Sequence, residues 1–127
     1  MSFDLYGTPS RARAKATTTT LGTLAAAQWA ELPNGRWQIM WDDHTDYGDE
    51  PGGGFFTCEL YCEDGGWTYD YWHSERGEDE GNDLGADGTT VEIARVLLRG
   101  KLEDLIETWE TSVANRLEQA ARERDDE

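Results

Sequence analysis

The segment from Phe56 to His73 constrains the fold more than any other part of this chain. Phe56, Cys58, Leu60 and Cys62 recur at every second position, Asp64-Gly65-Gly66 follows, and Trp67, Tyr69, Tyr71 and His73 recur at every second position again. Strict alternation marks a strand with one buried face, because successive side chains leave a strand on opposite sides. Asp-Gly and Gly-Gly readily adopt the positive φ that a two-residue hairpin turn demands. The chain is therefore expected to fold back on itself here. A turn at either Asp64-Gly65 or Gly65-Gly66 sets Cys58, Leu60 and Cys62 beside Tyr69 and Tyr71. Either register also gathers Glu59, Tyr61, Glu63, Asp70 and Trp72 on the second face, which mixes carboxylates with aromatic rings.

Arg36 to Asp42 alternates in the same way, with Trp37, Ile39 and Trp41 on one side and Gln38, Met40 and Asp42 on the other. A three-stranded antiparallel meander is the economical reading. Such a sheet needs an apolar cover on one side, and the C-terminal third supplies one. From Thr89 the period becomes helical: Thr89 and Glu92 form a capping box, and Val91, Ala94, Leu97 and Leu98 begin an apolar stripe. Gly100 costs about 1 kcal/mol relative to Ala inside a helix, so a kink or break is expected there. The stripe resumes through Leu102, Leu105, Ile106, Trp109, Val113, Leu117 and Ala120, and Arg122 to Glu127 are expected to fray. The fold class predicted is α+β: a small meander packed against a C-terminal amphipathic helix or kinked helix pair. Between Thr20 and Leu32 two readings stand. Ala25-Ala26-Ala27 favours a short helix, whereas Pro33-Asn34-Gly35 can turn a hairpin between Gln28–Leu32 and Arg36–Met40.

At 127 residues the chain suits a single domain with one modest core. Residues 1–19 read as a flexible or edge segment. Met1 to Thr20 lacks the continuous apolar run of a secretory signal, and no stretch approaches the roughly 20 apolar residues of a spanning helix. A cytoplasmic location is expected, with no membrane partner. Cys58 and Cys62 sit four apart, about 13 Å along a strand, beyond the roughly 7 Å between Cα atoms that a disulfide allows. They read as small core residues in a reducing compartment.

The net charge is −16, from 27 acidic and 11 basic residues. It is regional: residues 1–40 are net +2, residues 41–87 hold 15 acids against Arg76 alone, net −14, and residues 88–127 are net −4. Nucleic acid as a direct ligand is excluded, since its phosphates would be repelled. Two acidic, glycine-bearing segments, Asp42–Gly54 and Glu75–Gly88, read as surface loops flanking the hairpin.

No reaction is named by the residues. With Gly48 at the sixth position of a calcium loop, the third, fifth and twelfth would be Thr45, Tyr47 and Gly54, which fails the ligand pattern, and an alignment on Gly88 fails likewise. His44, His73, Cys58 and Cys62 lack zinc-site spacing. His73 and Ser74 are neighbours on a strand and point to opposite faces. Glu59 paired with Asp70, or Glu63 with Asp70, is better read as solvation of an exposed face than as a glycosidase couple. Gly52-Gly53-Gly54 is not followed by the Lys of a phosphate loop. No cofactor, no metal and no enzymatic role are expected.

The charge points to a partner instead. Carboxylates on alternate strand positions recur every 6.6–7 Å or so, of the same order as the charges along a nucleic-acid backbone, and interleaved rings supply anchors. In composition the middle segment resembles the nucleic-acid-mimicking inhibitors that phages deploy against restriction and CRISPR systems. The resemblance is one of composition and carries over no residues; the charge and strand pattern themselves predict a module that binds a basic, nucleic-acid-handling protein through Asp42, Asp43, Asp46, Asp49, Glu50, Glu59, Tyr61, Glu63, Asp70, Trp72, Glu75, Glu78, Asp79 and Glu80. Two alternatives share the composition: an immunity protein that neutralises a basic nuclease toxin, and a halophile-adapted domain or small enzyme of unrecognised type. Halophilic acidity should be spread over the whole chain, and here residues 1–40 are positive.

Overall fold

A computed structural model of the chain describes residues 19–48 and 52–125. Their elements run α1 (Thr20–Ala26), β1 (Ala30–Glu31), β2 (Trp37–Asp42), β3 (Phe55–Glu63), β4 (Gly66–His73), β5 (Gly77–Asp83) and α2 (Val91–Asp125). The strands form one antiparallel sheet in the order β1-β2-β3-β4-β5. The fold is α+β, and the sheet is wider than the expected three strands.

The hairpin turns on Asp64 and Gly65, at φ 52° and 81°, and pairs Glu63 with Gly66. Phe56, Cys58, Leu60 and Cys62 then lie opposite His73, Tyr71, Tyr69 and Trp67. On the other side of β3, Trp41, Ile39 and Trp37 pair with Phe56, Cys58 and Leu60. These rows make the core face. Leu24 of α1 and Ala94, Leu98, Leu102 and Ile106 of α2 close over it in one buried cluster with Ile39, Trp41, Phe56, Cys58 and Leu60. Trp41 stacks on Phe56 at 5.3 Å between centroids, and Trp109 meets Phe56 edge-on at 5.5 Å.

Several expectations are corrected. Glu75–Gly88 is not all loop: β5 lies within it. Its sequence Gly-Glu-Asp-Glu-Gly-Asn-Asp has no apolar alternation, because an edge strand pairs through backbone bonds with one neighbour and buries little side chain. Gly100 does not break α2, which runs unbroken through Asp125 as a single helix. A glycine in a helix costs stability without forcing a kink, and the stripe on either side of it is anchored to one continuous core. The cap sits one residue later than expected. Thr90 accepts Ala94 N–H at its carbonyl (2.9 Å) and Ile93 N–H at its hydroxyl (3.4 Å), while the Thr89 hydroxyl donates back to Ala86 O (2.8 Å). Leu97 and Ala120 are exposed, so they fall outside the buried stripe.

Both readings of Thr20–Leu32 hold in part. Thr19 caps a two-turn helix by accepting Gly22 N–H at 2.9 Å, and Arg99 donates to Leu24 O (2.6 Å) and Ala27 O (2.9 Å) at its C-terminal end, where a cation suits the helix dipole. The chain then forms the Pro33-Asn34-Gly35 hairpin, with Ala30 and Glu31 opposite Gln38 and Trp37. Cys58 is buried as expected, but Cys62, at the sheet's end, is exposed; both thiols are free. The expectation for the N-terminal segment lies, apart from Thr19, outside the described residues. No described helix is long and apolar enough to cross a membrane.

Candidate partner interface

The sheet's other face carries what alternation leaves over, and both described helices pack on the opposite side. Register arranges it in rows. Asp42 pairs with Phe55; next come Met40, Thr57, Trp72 and Glu78; then Gln38, Glu59 and Asp70; then Tyr61, Thr68 and Asp83. Glu63 lies at the far end of β3. The expected grouping of Glu59, Tyr61, Glu63, Asp70 and Trp72 on one face is what the register produces.

Its centre is tied down. Arg36 Nη1 lies 3.3 Å from both Glu59 Oε1 and Asp70 Oδ2, and its guanidinium sits 3.9 Å over the Tyr61 ring. Tyr61 OH donates to Asp70 Oδ1 at 3.0 Å, Gly81 N–H to the same oxygen at 2.8 Å, and Gln38 Nε2 to Glu59 Oε2 at 3.2 Å. Burial first, then the bond to Asp70 and that carboxylate's charge, push the Tyr61 pKa up. Glu59 and Asp70 side chains are only 17% and 15% exposed. Directly opposite on adjacent strands, they would repel one another without Arg36. Arg36 was not part of the expected site, though it directly precedes the alternating run that begins at Trp37.

The exposed carboxylates form a perimeter. Asp42 lies at one corner, Glu78 and Asp83 along β5, Glu63 at the hairpin end, Glu75 in the turn after β4 and Glu80 at the irregularity of β5 opposite Asp70. A polar rim around an aromatic centre is the general anatomy of a protein interface. Met40, Phe55 and Asp83 also belong to this face and were missed; Met40 had already fallen on the polar side of its alternating strand.

Asp43 and Asp79 do not belong here, and this corrects two expected site residues. Asp79 faces the helix side and accepts from Tyr71 OH at 3.2 Å. Asp43 is buried. It accepts from Thr20 Oγ1 (3.2 Å), Thr45 N–H (2.9 Å), Tyr47 OH and His73 Nε2 (2.9 Å). Residues 43–48 alternate buried and exposed like a strand and pass to the helix side, where Trp109 Nε1 donates to Tyr47 OH at 2.9 Å. Asp46 is exposed on that segment, accepts Gly48 N–H at 2.9 Å, and stands away from the open face. Asp49 and Glu50 lie outside the described residues.

This buried network was not foreseen, since its members are distant in sequence and composition carries no trace of it. Glu75 N–H donates to His73 Nδ1 at 3.0 Å, which assigns the ring proton to Nε2 and directs it at Asp43. Both ring nitrogens are thus engaged, and neither is available to a substrate. Burial by itself raises the Asp43 pKa, but the bonds from Thr45, Tyr47 and His73 outweigh it and hold the carboxyl below its usual range. Gly54 belongs to the same locality: at φ 87°, its Cβ would stand 2.7 Å from His73 Cε1. Among the described residues no group of three or more His, Cys, Asp or Glu is placed to hold a metal ion. No protein-family model, curated protein or solved structure matches the chain.

Proposed function

We propose that this protein is an acidic interaction module whose open sheet face docks a strongly basic, nucleic-acid-handling protein and occupies the groove meant for nucleic acid. The observation that carries the reading is the arrangement on that face: exposed carboxylates at Asp42, Glu63, Glu75, Glu78 and Glu80 surround a centre that holds Trp72 and, under the Arg36 guanidinium, Tyr61. Such a surface attracts an Arg/Lys-rich groove over a Debye length and orients it before contact. The aromatic centre then supplies contact area at small entropic cost. The regional charge supports docking over general solubility, because α2 and the N-terminal third lack the imbalance. A reducing compartment such as the cytoplasm suits the two free thiols.

Affinity capture from native lysate at low salt, with elution on a salt gradient, tests the proposal. A nucleic-acid-handling protein should elute as ionic strength rises. The triple variant Asp42→Lys, Glu63→Lys and Glu78→Lys should melt like the parent and capture nothing. Retention of the same protein by that variant, or capture insensitive to salt, refutes the reading.

A further inference from the structure

β1 has only two residues and pairs with Trp37 and Gln38, so from Ile39 onward β2 has no strand on that side. Helix α1 takes the place of one, tied by Thr23 Oγ1 donating to Asp42 O at 2.6 Å. The side chains it presents at its C-terminal end are Ala26 and Ala27, too small to fill the space to β2 and β3. A groove of about 410 Å³ remains, lined by these alanines with Thr23, Met40, Asp42 and Phe55, and reaching Trp41. Met40 and Phe55 are 47% and 38% exposed, the large apolar residues most open on this face. The remaining exposed large apolar residues described are Ile93, Val96 and Leu97, on α2. Asp42 is exposed at the groove's edge, and its carboxylate makes no ion pair among the described residues.

A mixed groove walled on one side by Met40 and Phe55, beside a carboxylate with no ion pair among the described residues and at the corner of an acidic face, defines its occupant by shape and charge complementarity. We propose that this groove is the anchor site of the interface: it takes one large apolar side chain from an extended segment of the basic partner, with an Arg or Lys two residues away on the same side pairing with Asp42. Alternate residues of an extended segment stand 6.6–7 Å apart or so, a reach that a long basic side chain spans. The inference rests on the electrostatic reading above and adds a specificity to it, because charge alone does not distinguish one basic segment from another.

Two blocked nonapeptides serve as probes. Both read Arg-Ser-Arg-Ser-Xaa-Ser-Arg-Ser-Arg, with Xaa Leu in one and Ser in the other, so that Arg stands two residues from the centre on the same side. Titration followed by backbone and Met-methyl NMR at two ionic strengths should show the Leu peptide binding about tenfold or more tighter, as expected for burying one Leu side chain. The shifts should centre on Ala26, Ala27 and the Met40 methyl. Ala26→Leu fills the groove from an exposed helix position, and Met40→Ser removes its wall. Each should abolish the tenfold preference and leave the salt dependence unchanged. Equal affinity of the two peptides, or a preference that survives both variants, overturns the anchor. If both bind equally and salt weakens them, the electrostatic reading stands alone. If the Leu peptide binds regardless of salt, the groove stands and the electrostatic reading falls. Binding of neither peptide overturns both.

Discussion

Replacing Asp43 by Asn changes one buried atom's chemistry and leaves its shape nearly intact, so it isolates the role of the carboxylate. In the native state two oxygens accept from Thr20, Thr45 N–H, Tyr47 and His73. Asn keeps one acceptor and introduces an NH₂ facing donors. Tyr47 OH already accepts from Trp109, and His73 cannot turn its tautomer without setting Nδ1–H against Glu75 N–H. One or two buried donors are left without partners, at about 1–3 kcal/mol each. We expect Asp43→Asn to cost about 2–4 kcal/mol and Asp43→Ala about 3–5 kcal/mol, against a total stability of order 5–15 kcal/mol. Urea unfolding followed by tryptophan fluorescence measures both, with the slope on denaturant checked for constancy. The acid limb gives a second readout. The Asp43 pKa is lowered in the folded protein from its ordinary 3.8, so below that pH the unfolded chain binds the proton more readily and stability falls. That component should be absent from both variants. An Asn variant as stable as the parent, with an unaltered acid limb, refutes the assignment of Asp43 as an ionised acceptor.

Further outcomes follow from other parts of the fold. Arg36→Met leaves Glu59 and Asp70 opposed; we expect a loss of about 1–2 kcal/mol at low salt, partly recovered at high salt in thermal melts. Gly100→Ala should stabilise by about 1 kcal/mol, since a Cβ there meets nothing within 4 Å; the same urea assay reads it. A thiol reagent should label exposed Cys62 in the native protein and reach Cys58, whose pKa burial raises, only on unfolding. Tyr71, pushed up to about 12 by burial and then by Asp79, should ionise late in an ultraviolet titration. Because its folded pKa is the higher one, it contributes to a loss of stability as pH rises above 10.

Legibility followed periodicity. Phe56–His73 and Trp37–Asp42 alternate cleanly, and their strand identity and facing came out of the sequence as found, while the fold selects Asp64-Gly65 from the two turns the sequence allowed. The stripe from Ala94 to Val113 likewise declared its target. β5 did not, because Gly77–Asp83 pairs through backbone bonds that leave no side-chain pattern, and Gly100 misled because a local propensity was outweighed by the core on both sides of it. For the site, alternation placed Glu59, Tyr61, Glu63, Asp70 and Trp72 together. It could not reveal that Arg36 closes over two of them, nor that Asp43 turns inward to His73, 30 residues away. Loop carboxylates carry no period, so their burial depends on contacts that only the folded chain creates.

Arg36 bears on why the acids are there at all. A surface built for solubility spreads its carboxylates and leaves them hydrated, since each gains more from water than from a neighbour. Here the two central acids are brought opposite one another and then bridged by a single base that offsets one of their two charges and also lies on Tyr61. That arrangement fixes two carboxylates and a ring in place and lowers the charge at the centre of the face. Asp42, Glu63, Glu75 and Glu78, which make no ion pair among the described residues, remain outside it. A centre ordered in advance reduces the side-chain entropy lost on docking, and a charged perimeter raises the rate of encounter. The charged perimeter would serve solubility as well, but the ordered centre would not, and that centre is the physical ground for proposing the open face as an interface.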